Sequence, residues 1–447
     1  MTQGTKSAHP VDLGAHWVGR TQTYVMDLVK RFNLGLRSQY LLGTKVMQVG
    51  DNMVRTYDSI LPNVGSWFAL LELGWVINKM DRLSDKINTL DPSRSVTRAE
   101  EWDAITVHGW LLAHTRYQAV RDVITAAIRC TFGADPSQMS LLYFLTLVKS
   151  AGGVHDLFEA TEGAAQEYVL EDGAAAIVNS IEEDIKNDVN IVLDQAVNTI
   201  EQNEGGDVFV LTAGGKIIKC SRVIMCIPPP QQTKVNWIPR LSTRKLVALN
   251  SCQMGLLIKV IIHYPENFWR QSGYSGEIVS SSSPVCISFD DSSDNDPALV
   301  TFIGGNVAVE MSDLSDTDIG TSVIGHLADC FGSWAYQYSE ITVKNWAHQQ
   351  FVEGSPSVIV QCGMMSYWPA LRDVHDRVHF GGTETATTWI GYMDGAVQSG
   401  VRTALEVLNI IKPQSLSPQD LKVLESFNIR RYLIGHQVAI TYICVRK

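Results

Sequence analysis

The sequence predicts a two-domain α/β protein, and three observations predict it. At 447 residues the chain is longer than one compact core organises. Hydrophobic residues make up 45% and charged residues 19%, which supplies apolar surface for a large core and too little charge for a disordered chain. Stretches of helical periodicity alternate with short apolar runs bounded by glycine and proline.

From the N-terminus, residues 12–23 are glycine-bearing and lead into a helix whose Val25, Met26, Leu28, Val29 and Phe32 share a face, with Thr21 as its N-cap. Residues 51–100 read as mixed and rich in turn formers. Residues 99–148 read as helical with a break at 133–136, and Trp110, Leu111, Val120, Val123, Ile124, Ile128, Leu142 and Phe144 form the expected helical core. Residues 174–186 carry Ile177, Ile181 and Ile185 at helical spacing. A hairpin follows at 207–220 around Ala213-Gly214-Gly215. The apolar run 223–227 suits a central buried strand stopped by Pro228-Pro229-Pro230, because proline cannot donate to a ladder. Residues 255–264 predict a strand that contains Lys259, with further strands at 277–279, 285–289 and 299–303 and a helix at 316–330. The strand 378–380 runs into Gly381-Gly382, and a helix spans 396–410.

Charge and cysteine usage exclude several functions. The net charge is −11 with no dense run of Lys or Arg, so no basic face is expected for nucleic acid. The eight cysteines form no C-x-x-C pair, and the histidines no H-E-x-x-H, so no metal site is expected. Dispersed cysteines in a chain of this length suit a reducing, intracellular compartment, most of them as small buried hydrophobes. Residues 1–10 lack an apolar secretory core. The apolar tail 432–445 is shorter than the roughly 20 residues of a spanning helix and suits an interfacial contact or a truncated anchor.

The segment richest in chemistry is the strand–glycine–helix junction at 378–400. Such a junction aims backbone N–H groups and the positive end of a helix dipole at one place, and Gly381-Gly382 lets a bulky ligand approach the backbone. Lys259 is the second feature. A lysine among large aliphatics either snorkels outward or stays buried, and burial disfavours its charged form.

The run Gly381-Gly382-Thr383-Glu384-Thr385-Ala386-Thr387-Thr388-Trp389-Ile390-Gly391-Tyr392-Met393-Asp394-Gly395 closely resembles the C-terminal FAD segment of the flavin monoamine oxidase family. The resemblance extends over residues 11–412: Asp12-Leu13-Gly14-Ala15-His16-Trp17-Val18-Gly19 is similar to the family segment beside the flavin, and Cys226-Ile227-Pro228-Pro229, Phe268-Trp269-Arg270 and Lys344-Asn345-Trp346 are family-like. It implies cofactor contacts at Gly14, Ala15, Val18, Val197, Trp346, Ser355, Gly382, Thr383, Glu384, Thr385, Gly391, Tyr392 and Met393. Glu384 is then the acid of the cofactor loop, Tyr392 one wall of an aromatic cage for the amine, and Lys259 a water-mediated partner of flavin N5. Gln166 takes the place of a substrate-pocket glutamine, and Leu157, Phe158, Ile287 and Gly305 align with pocket walls. Trp269 reads as core, and Asp290-Asp291 as a structural pair rather than an acid/base dyad.

Two departures accompany the resemblance. The family opens with a G-x-G-x-x-G turn for the dinucleotide pyrophosphate, whereas no two of these 34 glycines are separated by a single residue, so the chain is expected to lack that unit. Ser355 and Pro356 stand where animal members carry a flavin-linking cysteine and a second cage tyrosine, so FAD is expected to be non-covalent and half the cage missing.

The fold expected is therefore the two-domain FAD-dependent amine oxidase fold. Residues 1–60, 160–230 and 373–412 would form the N-terminally truncated FAD-binding domain, 61–159 and 231–372 the substrate domain, and 413–447 a tail. The expected activity is oxidative deamination, in which amine, dioxygen and water give aldehyde, ammonia and hydrogen peroxide. Polyamine or L-amino-acid oxidation stays open, favoured respectively by an acid-lined pocket or by an arginine facing a carboxylate. A non-catalytic isoform that binds partners through its helices also stays open. The resemblance further implies a homodimer and the mitochondrial outer membrane, or a cytoplasmic protein if the short tail does not anchor.

Overall fold

The computed structural model describes residues 11–427, apart from 51–52, 59–61, 283 and 294; the tail reading at 432–445 and Cys444 lie outside the described residues. A seven-stranded sheet forms the backbone of one half. Its order is Glu340–Asn345, Leu257–His263, Ala298–Gly304, Ile287–Asp290, Tyr274–Ser280, Thr44–Gln48 and Val54–Tyr57, with one parallel pairing, between Tyr274–Ser280 and Thr44–Gln48.

The strand Leu257–His263 is buried along its whole length, and alternation explains why it is apolar throughout. Ile258, Val260 and Ile262 pack with Ile319, Val323 and Leu327 of the helix Asp316–Phe331. Leu257 and Ile261 face the other way, into a cluster with Phe289, Val300 and Phe302. Both faces are therefore covered, which selects large aliphatics at every position. Lys259 shares the second face, because side chains alternate along a strand.

The helices Trp67–Ser84, Gln118–Phe132 and Leu141–Ala151 pack into the largest cluster, and all the predicted helical core residues lie there, Val123 at its edge. The break expected at 133–136 is real: Gly133 ends its helix in the left-handed conformation at φ 64°. The long helix Trp67–Ser84 corrects the turn-rich reading of 51–100. It buries Ala69, Leu73, Val76 and Met80 but also exposes Trp67, Phe68, Leu71 and Trp75, so apolar residues ring the helix and no polar face marks its period. Thr21 is not an N-cap either. The helix Thr23–Arg31 starts after Gln22 without a side-chain cap, and the Thr21 hydroxyl donates to the Gly163 carbonyl instead.

The expected hairpin appears as Val208–Thr212 and Ile217–Cys220, within a four-stranded sheet. The strand Val223–Met225 is shorter than its apolar run; among the described residues it pairs only with Val378–Phe380, in parallel. That pairing delivers the chain at Gly381, whose N–H donates to the Met225 carbonyl. No helix among the described residues is long and apolar enough to cross a membrane. The seven described cysteines form no disulfide with one another; Cys226 is exposed, Cys130 and Cys362 half-buried and the others buried.

Candidate functional site

Segments far apart in sequence meet around a cavity of about 330 Å³. Gly14, Ala15 and Trp17 come from the N-terminal segment, Lys259 and Phe302 from the large sheet, and Trp346 from the loop after Glu340–Asn345. Gln166, the stretch 354–357 and the stretch 390–393 complete the wall.

The last of these is held by the predicted motif. Gly391 has φ 90°, a backbone state that a Cβ disfavours, and its N–H donates to the Thr383 hydroxyl at 2.8 Å. That hydroxyl in turn donates to the Tyr392 carbonyl at 3.0 Å, so the Gly-Thr-Glu-Thr loop fixes Tyr392. Trp389, also at positive φ (48°), is pinned by its N–H to the Ser150 carbonyl and packs edge-on against Tyr392 at 5.1 Å. Strain of this kind persists only where neighbours over-determine it. Gly395 permits the close turn, since a Cβ there would lie 2.4 Å from the Trp389 carbonyl. The helix Met393–Ile411 begins at this point, one turn earlier than its apolar pattern suggests. It is clamped to its strand by the fully buried Arg402, which donates to the Phe380 carbonyl (2.6 Å) and the Thr385 hydroxyl (2.8 Å) and pairs with Glu406.

Lys259 is 2% exposed. Its ammonium donates to the Asp12 carbonyl at 2.5 Å and reaches the Gly14 carbonyl at 3.5 Å, between the rings of Trp17 and Phe302. Burial pulls its pKa down to about 8, although the nearby Asp291 and Asp12 oppose the shift. Burial would raise Asp291, but His16 at 3.1 Å, Lys259 and Arg37 together hold it at about 2. Asp290 stays structural, gripping Trp269 Nε1 at 2.7 Å and the Arg270 guanidinium.

The sequence-derived residues divide into three groups. Gly14, Ala15, Gln166, Lys259, Trp346, Ser355, Gly391, Tyr392 and Met393 share the cavity wall. Gly382, Thr383, Glu384 and Thr385 stand behind it, and Leu157 also touches it from behind, its carbonyl accepting from the Tyr392 hydroxyl at 3.3 Å. Phe158 and Ile287 line a second cavity of about 200 Å³. Val18 lies in the core beside the helix Thr23–Arg31, Val197 lies in the four-stranded sheet, and Gly305 makes a turn against Asp135; none of these three is on the wall. The wall also holds Trp17, Cys130, Phe132 and Phe302, which sequence reasoning did not single out. A signal existed for Phe302, because it pairs directly with Lys259 across the sheet.

The cavity fits the ring end of a flavin. Its walls are flat aromatics and glycine backbone, with Gly14 tight against Trp346: a Cβ would lie 3.0 Å from the indole. The uncapped start of a 19-residue helix sits on the wall, a place suited to the electron-rich edge of a flavin. Gln166 Oε1, on the wall, is buried with no partner among the described residues, a polar group left for a ligand. Glu384, behind the wall, is pushed up to about 7 by burial. For a pyrophosphate, the chain offers no G-x-G turn.

Comparison with known proteins agrees with this geometry. The family described as Flavin containing amine oxidoreductase matches residues 2–408. The chain is 29% identical over 408 residues to the probable flavin-containing monoamine oxidase A of Dictyostelium discoideum, covering 89% of this chain and 86% of that protein. It is 29% identical over 417 residues to the flavin-containing amine oxidase A of Equus caballus, covering 92% of this chain and 78% of that one. Among solved structures, cyclohexylamine oxidase from Brevibacterium oxydans IH-35A superposes with a TM-score of 0.82 at 26% identity, covering 89% and 88% of the two chains. A putrescine oxidase bound to putrescine shares the fold, with a TM-score of 0.83 at 23% identity and coverage of 89% and 88%.

Proposed function

Since the chain belongs to the flavin-containing amine oxidoreductases, enzymes that use FAD to deaminate amines oxidatively, we propose that the cavity between Lys259 and Tyr392 is its reaction chamber. The single observation that carries this is the convergence of the buried Lys259 with the Thr383-bound Tyr392 on one cavity built from flat and glycine-lined walls. FAD bound there would supply the two-electron chemistry by which the amine becomes an imine, with dioxygen and a proton as the final acceptors that leave as hydrogen peroxide.

The residues of the chain bind, orient and keep dry. Gly14, Ala15, Trp346, Gly391 and Met393 would hold the ring system, and Gln166 would meet substrate or cofactor with its unpartnered oxygen. Tyr392 and Trp17 offer aromatic surface to the amine, so Trp17 supplies part of what Pro356 cannot. The apolar wall favours the neutral amine, the form with a free lone pair. Lys259, with a pKa near 8, can donate a proton or hydrogen bond into the chamber while two backbone carbonyls hold it in place. Ser355 lies on the wall and lacks a thiol, which supports non-covalent FAD.

The described walls carry no arginine in either cavity, which disfavours an amino-acid carboxylate. The test is the visible spectrum of the purified protein, followed by peroxide release with a panel of amines. A flavin band that acid precipitation releases into solution, with peroxide formed on amine addition, is the expected result. No bound flavin and no peroxide would return the chain to a partner-binding role.

A further inference from the structure

A third cavity, of about 50 Å³, lies on the other side of His16 from the reaction chamber. Among the described residues His16 is the one shared by both walls. The reaction chamber is walled mainly by aromatics and glycine, whereas this pocket is rich in charge. Asp12, Arg37, Asp291 and Asp296 line it, and the exposed Glu171 brings it to the surface. Its volume is enough for a few water molecules. The strand Leu257–His263 runs past both spaces. Lys259 borders the chamber, while Ile261 and His263, on the same face of the strand, border the pocket.

His16 is 5% exposed and stands between two carboxylates, its Nε2 3.1 Å from Asp291 Oδ1 and its Nδ1 3.6 Å from Asp12 Oδ2. Neither nitrogen is aligned for a hydrogen bond, so the ring is not locked in one tautomer. The same two carboxylates attract the Lys259 ammonium, which the Asp12 carbonyl holds. Asp291, despite its burial, stays ionised because His16, Lys259 and Arg37 surround it, Arg37 at 3.0 Å. It can steady a protonated imidazole but does not keep the proton itself. Across the pocket, His263 places Nδ1 2.8 Å from Asp296 Oδ1, and its Nε2 is buried with no partner among the described residues. Two imidazoles therefore stand in series between the reaction chamber and the surface.

The reaction needs such a route. An alkylamine arrives chiefly as an ammonium ion and must lose one proton before its carbon gives up a hydride. Loss of the hydride leaves a protonated imine, and that hydride, with one proton, turns dioxygen into hydrogen peroxide. One proton is thus released early in each cycle and one is consumed late, in a chamber whose walls are mostly apolar. We propose that His16 carries this proton between the reaction chamber and the charged pocket, and that His263 exchanges it with the surface. Lys259, after donating, is then recharged from the pocket side rather than through the substrate entrance. The inference rests on the assignment of the first cavity as the reaction chamber. Because His16 acts through Lys259, its loss should change the dioxygen step and its pH dependence, not the binding of the amine.

The test separates the two halves of the cycle in the flavin-loaded protein. The bound flavin is reduced by light without amine, and its reoxidation by dioxygen is followed across the pH range in which the protein stays folded. His16→Asn should reoxidise at least about 10-fold more slowly than the wild type, and imidazole added to His16→Ala should restore part of the rate. Anaerobic bleaching by an amine supplied in its neutral form should stay within about twofold of the wild type in His16→Asn. Unchanged reoxidation in His16→Asn, or an equal loss in both halves of the cycle, would overturn the proposal. A second readout needs no turnover. In the NMR spectrum of histidine-labelled protein the His16 ring should titrate, and its midpoint should move to higher pH in Lys259→Met, where a neighbouring positive charge is gone. A His16 ring that keeps one protonation state throughout would also sink the relay. That coupled titration without oxidation of any amine would support the relay and refute the reaction chamber; amine oxidation with His16→Asn reoxidising at the wild-type rate would do the reverse.

Discussion

Two buried lysines, Lys245 and Lys259, have almost the same exposure and opposite surroundings. Each is 2% exposed, and burial lowers both, to about 7 and about 8. Lys245 donates to three carbonyls, those of Ala370 and Leu371 at 3.1 Å and Asp373 at 2.9 Å, and lies 3.2 Å from the centre of the Phe380 ring. It closes the C-terminal end of the short helix Trp368–Arg372, and no described cavity reaches it. Lys259 is held on one side and opens on the 330 Å³ cavity, the proposed reaction chamber, on the other. Burial and a shifted pKa therefore do not by themselves mark a working lysine; access to a cavity does.

Substitutions should separate the two roles. Lys259→Met is expected to lower kcat/KM for amine oxidation by about 10²–10³-fold, about 3–4 kcal/mol of barrier, as measured by peroxide release. Its melting temperature should change little, because removing a buried charge offsets the donor lost by the Asp12 carbonyl and the more distant Gly14 carbonyl. Lys245→Met should do the opposite. Three buried carbonyls lose their donor, so denaturant unfolding should show a loss of about 3 kcal/mol, while the folded fraction keeps the wild-type KM. A large activity loss at Lys245 with normal stability would break the comparison.

The pH dependence of stability sharpens it. A lysine whose folded pKa is depressed lowers stability fully below that pKa, and the loss is relieved as pH rises toward the unfolded value of 10.5. For Lys259 the window runs from about 8 to 10.5, and its full amplitude is about 3 kcal/mol. The difference in unfolding free energy between wild type and Lys259→Met should therefore shift in favour of the wild type through this window. A flat difference would contradict the burial cost.

Smaller effects are expected around Tyr392. Gly391→Ala puts a Cβ on a backbone at φ 90° and 3.2 Å from the Ser357 side chain, at about 1–2 kcal/mol, and should lower the flavin-to-protein ratio on purification. Tyr392→Phe keeps the ring and loses only the 3.3 Å bond to the Leu157 carbonyl, so kcat/KM should stay within about twofold.

The sequence disclosed the site unevenly, for physical reasons. The loop at 381–395 was readable because strand, glycine turn and helix start are local and each has its own residue signature. Lys259 was readable as an outlier in an aliphatic strand. Trp17, Phe132 and Cys130 were not, because membership of the wall depends on long-range packing that no local period encodes. The helix Trp67–Ser84 was missed since its exposed tryptophans erase the amphipathic contrast. Glu277 was read only as part of a strand; its partnership with Lys45 needs the parallel pairing of Tyr274–Ser280 with Thr44–Gln48. Arg402 likewise looked like one more helical arginine, yet it ties the helix to the strand Val378–Phe380.

The most direct test of the central claim is anaerobic mixing of the flavin-loaded protein with an amine while the visible flavin absorbance is followed. Bleaching in the wild type, and the same initial absorbance bleaching about 10²-fold more slowly in Lys259→Met, is the result expected if Lys259 and Tyr392 frame the reaction chamber. Equal bleaching rates in the two proteins would contradict it.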